Sequence, residues 1–128
     1  MGLVQQQVGK SWEQEIISKY YDKGWQPFKI PTEIMGTCFD IILIKNGACM
    51  CVEAKHIKGD KLYFKSSGLY KKQDELNHFI THSNTNVYLF IKSDKTGCFW
   101  TSWLKAYPIL QEKGYIDIND CIKMGMDV

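Results

Sequence analysis

The sequence predicts a mixed α/β fold, a central mixed β-sheet flanked by helices. Three observations lead there. Apolar periodicity gives the element order α-β-β-β-α-β-β-α. An Asn46-Gly47 dipeptide separates two apolar runs and marks a tight hairpin. The stretch from Ala48 through Ile91 reads strand, helix, strand, a candidate parallel crossover.

The elements follow in order. Residues 1–8 read as a frayed tail. Ser11-Trp12-Glu13-Gln14 has capping-box form, Trp12, Ile16 and Tyr20 recur at helical spacing, and Gly24 supplies a stop, so the first helix covers about 11–23. Trp25–Ile30 is a short strand closed by Pro31, and 32–37 is a loop. Cys38–Ile44 is an apolar strand interrupted only by Asp40, and Ala48–Lys55 is its return partner. A Lys/Gly/Ser loop over 56–68 carries Leu62, Tyr63 and Phe64. Leu69–Ser83 is a second helix, with Leu69, Leu76, Phe79 and Ile80 on one face. Val87–Ile91 and Cys98–Thr101 are strands joined by a turn at Asp94–Gly97. Ser102 caps a last helix over 103–112, which Pro108 limits or kinks. The segment from Tyr115 has little pattern.

A length of 128 residues suits a single domain over 1–128, with its core over about 9–112. A composition of 45% apolar and 23% charged residues excludes a disordered chain. No run approaches the ~18 apolar residues of a membrane span, and the N-terminus has no signal-peptide pattern. The five cysteines lack zinc-ligand spacing: Cys49 and Cys51 form only C-x-C on a strand. They read as reduced thiols of a cytoplasmic protein.

All sixteen basic residues are lysine, so any bound anion meets ammonium groups and no guanidinium fork. A net charge of +2 is too small to announce a nucleic-acid binder, but its distribution is uneven. Six lysines (55, 58, 61, 65, 71 and 72) lie between Glu53 and Lys72, against two acids, whereas Glu112 to the end holds four acids and two lysines. Taken alone, the basic stretch reads equally well as a solvated loop.

Asp40 lies among apolar strand residues, where a carboxylate costs several kcal/mol unless paired, metal-bound or at the sheet rim. Asp40 and Glu53 stand six residues either side of the Asn46-Gly47 turn, which makes them near neighbours across the hairpin. Glu53 and Lys55 share a strand face because the side-chain period is two. Two carboxylates and an ammonium therefore converge at the end of a hairpin. Such a set suits phosphodiester hydrolysis: the carboxylates hold Mg²⁺, which polarises a phosphoryl oxygen and acidifies a water, and the lysine orients that water or stabilises the transition state. The spacing alone is also compatible with an ordinary surface hairpin.

Phe39-Asp40 followed by Val52-Glu53-Ala54-Lys55 resembles the PD-(D/E)xK nuclease signature. The surroundings resemble one branch of it, the archaeal-type (Hjc-like) Holliday junction resolvases and their RecU-like and phage relatives. Gly9-Lys10-Ser11-Trp12-Glu13 is similar to the G-x-x-x-E that opens their first helix, and Asp22-Lys23-Gly24-Trp25 to the K-x-G-[WF] that follows it. Cys51-Val52-Glu53-Ala54-Lys55 is similar to their C-[IV]-E-[VA]-K strand. Lys61-Leu62-Tyr63, the Gln73 region and Val87–Ile91 follow in the same order, and the resemblance spans about 9–104. Phe39 replaces the motif proline, lysines stand in for the family's arginines, and only Thr32 or Thr37 could replace a loop serine.

The resemblance implies a restriction-endonuclease-like core and a Mg²⁺-dependent endonuclease for branched DNA, with Mn²⁺ a substitute. Asp40 and Glu53 would hold the metal, with the Ala54 carbonyl as third ligand, and Lys55 would position the attacking water. Glu13 would assist the metal or its water, with Glu15 the competing acid. Gln73 would approach the site from the second helix. Lys10, Lys58, Lys61, Tyr63, Lys65, Lys71 and Lys72 are the expected DNA contacts, and Phe64 lies among them. A homodimer would supply the two opposed cuts that a near two-fold junction needs. Recombination, repair and phage DNA debranching all fit. The alternatives are a nuclease of this fold for flaps, nicks or ends, and a non-catalytic DNA-binding module. Three other features carry less. His56 should face away from Lys55, His78 and His82 form an i, i+4 pair without a third ligand, and Trp100 and Trp103 read as packing residues.

Overall fold

The protein is described by a computed structural model covering residues 2–31 and 38–124, with side chains from Trp12 onward. The chain order is α1 (Gly2–Asp22), β1 (Gln26–Lys29), β2 (Ile41–Lys45), β3 (Ala48–Ile57), β4 (Lys61–Tyr63), α2 (Leu69–Ser83), β5 (Val87–Ser93), β6 (Gly97–Ser102), α3 (Trp103–Lys113), β7 (Tyr115–Asp117), a 3₁₀ turn (Ile118–Asp120) and β8 (Ile122–Lys123). Six strands form the main sheet in the order β1-β2-β3-β5-β6-β8, and β4 pairs with β7 in a small second sheet. Only β3 and β5 pair in parallel, with α2 as the crossover; the other neighbours are antiparallel. This is the mixed sheet that the element order predicts.

The sheet is covered on both faces. Trp12 and Ile16 of α1 pack on Ile41, Leu43, Val52 and Phe90. The indole N–H of Trp12 donates to the Phe90 carbonyl at 3.0 Å, which satisfies a buried donor and fixes α1 over the sheet centre. On the other face, Leu69 and Leu76 of α2 and Trp103, Ala106 and Leu110 of α3 pack with Cys51, Leu89 and Ile91. Trp103 is buried and donates to Asn77 at 2.8 Å, and Trp100 is half-buried against Tyr88, so both tryptophans pack. The β2–β3 hairpin closes through Asn46 and Gly47 at φ 50° and 82°, the left-handed pair that a two-residue turn requires.

Four local expectations need correction. The first helix begins at Gly2, so residues 2–8 are helical and Ser11 lies within the helix instead of capping it; the glutamine run Gln5–Gln7 consists of good helix formers. The 56–68 segment contains β4, held by pairing with β7. Pro108 does not end α3, which runs to Lys113 from a Ser102 cap whose hydroxyl accepts from the Lys105 N–H. The core extends past residue 112, because Ile116, Ile118 and Met124 are buried. Thr32 and Thr37 lie outside the described residues, as does the side chain of Lys10. Among the described residues no helix is long and apolar enough to cross a membrane.

Candidate active site

The hairpin brings Asp40 and Glu53 together with one refinement to simple pairing. Ile41 pairs with Val52, yet the N–H of Asp40 also donates to the Val52 carbonyl at 2.8 Å. Two residues of one strand thus face one of the other, the arrangement of a β-bulge, which re-aims the side chain at that point. The carboxylate Oδ2 of Asp40 accepts the Ala54 N–H at 2.9 Å. Asp40's carbonyl accepts from Ile30 beyond the end of β1, so its backbone is tied to both neighbouring strands.

Glu53 is 0% exposed and sits in the middle of the sheet, with Ile41's strand on one side and β5 on the other. Its Oε2 accepts from Lys72 Nζ at 2.7 Å and lies 3.4 Å from Lys55 Nζ. Its Oε1 is buried without a hydrogen-bond partner. Burial pushes the Glu53 carboxyl up to about 7, Asp40 adds to the rise, and Lys55 and Lys72 oppose it. Lys55 donates to the Ser67 carbonyl at 2.7 Å, which anchors its ammonium beside Glu53. Burial opposes the charge on Lys72, but contact with Glu53 outweighs it and raises its pKa. Cys38 lies nearby with its thiol pushed up to about 11, first by burial and then by Glu53, so it stays protonated.

Beyond Lys55, a groove of about 600 Å³ runs along Lys55, Lys58, Lys61, Tyr63 and Ser67. Lys58 and Lys61 are exposed, and Tyr63 is 51% exposed with its ring beside Tyr115. Lys65 lies over the Tyr70 ring, and Lys71 is exposed on α2. Lys55, Lys58 and Lys61 of the basic stretch therefore line one groove, which opens beside the Lys55 that neighbours Glu53.

A family model described as archaeal Holliday junction resolvase (Hjc) matches residues 4–127. The chain belongs to this resolvase family. Membership makes it a structure-selective DNA endonuclease by class. The crystal structure of the Archaeoglobus fulgidus Hjc, a Holliday junction resolvase from an archaeal hyperthermophile, superposes with a TM-score of 0.65 at 14% identity, covering 90% of this chain and 95% of that one. At that identity the likeness shows the fold alone, here the restriction-endonuclease-like core. No curated protein sequence matches the chain.

Several resolvase positions lie where the motif order suggested, and others do not. Asp40, Glu53, Ala54 and Lys55 form one cluster. Glu13 is on α1, which covers the opposite face; its carboxylate lies 3.4 Å from Lys29, whose strand partner is Ile41. Glu15 pairs with Lys92 at 2.7 Å, on the α1 side of β5. Gln73 turns its amide away from the Glu53 cluster: its oxygen accepts from Tyr107 and its nitrogen donates to the Tyr70 carbonyl. The α2 residue that reaches Glu53 is Lys72. Its sequence position carries a signal, since Leu69, Lys72 and Leu76 fall at i, i+3, i+7, and a lysine on the buried stripe needs a buried partner. His56 faces Asp94 at 2.7 Å, and the His78 and His82 rings stack at 4.0 Å. No cluster of three or more His, Cys, Asp or Glu side chains suited to a metal occurs among the described residues.

Proposed function

We propose that the chain resolves four-way DNA junctions as a homodimer, making paired symmetric nicks by Mg²⁺-assisted phosphodiester hydrolysis at Asp40 and Glu53. The observation that carries this reading is the buried Glu53 carboxylate with one oxygen unsatisfied beside a second carboxylate. An orphaned buried oxygen is costly, and once Glu53 is ionised a cation is the partner that would satisfy it. The donor set fits Mg²⁺, which takes one or two carboxylates and keeps several waters, so a three-acid cluster is not required. Asp40 and Glu53 would hold it. The carbonyl of Ala54 would be the third ligand, since in a strand it points to the same side as the N–H bound by Asp40. When bound, the cation polarises a phosphoryl oxygen and lowers the pKa of a coordinated water.

The chain's own groups do the rest. Lys55, held by the Ser67 carbonyl, orients the attacking water and stabilises the charge that develops on the phosphorus oxygens. Glu13 remains the proposed helper acid, from the α1 side, where it pairs with Lys29 at the end of β1. Lys58, Lys61 and Tyr63 grip the DNA backbone along the groove, and the exposed Lys65 and Lys71 extend that basic surface. With no arginine in the chain, these contacts are point-charge contacts that read shape and charge and not base sequence.

The test is cleavage of a labelled four-way junction and of a linear duplex with the same arm sequence, with and without Mg²⁺ and with Asp40→Asn as control. Paired symmetric nicks confined to the junction support the reading. Equal cutting of both substrates replaces it with a general nuclease of this fold.

A further inference from the structure

Two ammonium groups converge on one oxygen of Glu53, and they are held differently. Lys55 lies 3.4 Å from Oε2, while its shorter contact, 2.7 Å, is to the Ser67 carbonyl. A main-chain carbonyl keeps Lys55 in place whatever happens at Glu53. Lys72 has the reverse arrangement. Its hydrogen bond is to Glu53 alone, at 2.7 Å, and its side chain is 34% exposed while that of Glu53 is 1% exposed. Its stem rises from the first turn of α2 beside the exposed Lys71, so its ammonium can leave Glu53 for solvent by rotating its own side chain.

Charge balance gives a reason for the contact. Without a bound metal, two neighbouring carboxylates repel each other in a buried position, and above the Glu53 pKa a nearby cation offsets that repulsion. A divalent cation on the unpartnered Oε1 removes that need and repels an ammonium held by the other oxygen of the same carboxylate. The two cations therefore compete for Glu53. We propose that Lys72 is a displaceable counter-cation: it neutralises Glu53 in the metal-free protein and, once a divalent cation is taken, is released to bind a DNA phosphate at the mouth of the site. The proposal rests on Asp40 and Glu53 being the metal ligands. It couples metal uptake to DNA grip through one side chain, so that full backbone affinity develops only at a loaded site.

The first experiment is calorimetric titration of the full chain with Ca²⁺, a hard cation that takes the same oxygen ligands, at pH 8.5. Wild type, Lys72→Met, Lys72→Gln and Asp40→Asn are compared. Both Lys72 variants should bind Ca²⁺ about tenfold or more tightly, because the competitor is gone, and Asp40→Asn should lose most binding. If Asp40→Asn loses binding while the Lys72 variants bind as wild type or more weakly, the displacement idea falls and the metal assignment stands. If wild type and Asp40→Asn bind Ca²⁺ alike or not at all, the metal assignment itself falls and takes the displacement with it.

The second experiment reads the released ammonium. Junction binding is measured against salt in Ca²⁺ and in EDTA. One added phosphate contact steepens the slope of log K on log salt by about 0.9. Wild type should gain that increment on adding Ca²⁺, beyond any gain in Lys72→Met. Equal gains in the two proteins would mean that Lys72 does not move to the DNA, and would overturn the proposal even if the Ca²⁺ affinities change as expected.

Discussion

Lys72 donates to Glu53 across 2.7 Å from the first turn of α2 to the middle of β3, nineteen residues apart in sequence. The contact exists because α2 is the crossover between β3 and β5, which pair in parallel. The crossover helix packs back over the sheet, and here its first turn reaches the strand that precedes it. The ion pair is thus a product of topology, and it sits on the least solvated acid of the site.

Removing that ammonium should move the titration of Glu53. Its carboxyl stands at about 7 because of burial first and Asp40 second, with Lys55 and Lys72 pulling it down. Lys72→Met deletes one of the two lowering charges, so the Glu53 pKa should rise further. Carboxyl carbon NMR across pH 5–9 reads this directly; an unchanged midpoint would show that Lys72 does not act on Glu53 in solution. The variant should remain folded, losing roughly 1–2 kcal/mol, because Glu53 can take up a proton in place of its partner.

Stability should depend on pH in the direction opposite to that of a salt-bridged surface acid. The Glu53 carboxyl moves from 4.5 to about 7 on folding, so between those values the folded state holds a proton that the unfolded state releases. Stability is greatest below about 4.5 for this group, falls as pH rises through the window, and levels off above 7. The loss amounts to at most about 3 kcal/mol. Glu53→Gln cannot titrate, so urea unfolding at pH 5 and pH 8 should show a smaller decline than in wild type. Without Glu53 ionisation there is also less to bind a cation, so Mg²⁺ affinity of the wild type should climb toward pH 7 and then flatten.

Asp40 has a structural task besides its proposed chemical one, and two substitutions separate them. Asp40→Asn keeps an oxygen to accept the Ala54 N–H, so it should fold as wild type, abolish cleavage and still bind the junction. Asp40→Ala leaves that N–H without its partner and should cost a further 1–3 kcal/mol, roughly the penalty of an unsatisfied buried donor. Thermal melts beside a cleavage assay check both; a cutting Asp40→Asn protein would remove Asp40 from the metal site.

The groove lysines should act through charge alone. Lys58→Ala and Lys61→Ala line the same groove and make no ion pair with an acid at the site. Each should weaken binding to every junction sequence alike and lower the salt slope by about 0.9. A sequence-dependent loss would mean that base edges are being read.

Local chemistry in the sequence determined much of this protein. The Asn46-Gly47 turn fixes hairpin register, and register brings Asp40 to Glu53 and puts Lys55 on the same face. Apolar periodicity gives α2 its observed bounds, Leu69–Ser83, and the order of motifs identifies the family. These signals are legible because turns, periods and caps are written within a few residues of each other. Tertiary structure decided the rest. β4 and β7 are three residues each and stand more than fifty residues apart, too short to show a period and ordered by each other and by the core that Leu62 and Ile116 enter. The bulge at Asp40 sends its carboxylate to Ala54, and the shared acceptor at Val52 that makes the bulge leaves no trace in residue type. Lys72 and Gln73 are neighbours on one helix, but a turn of about 100° between them sends the first to Glu53 and the second to Tyr107. Which of the two meets the acids depends on how α2 is rolled against the sheet, and that is set by Leu69 and Leu76 seating in a core built from distant strands and α3.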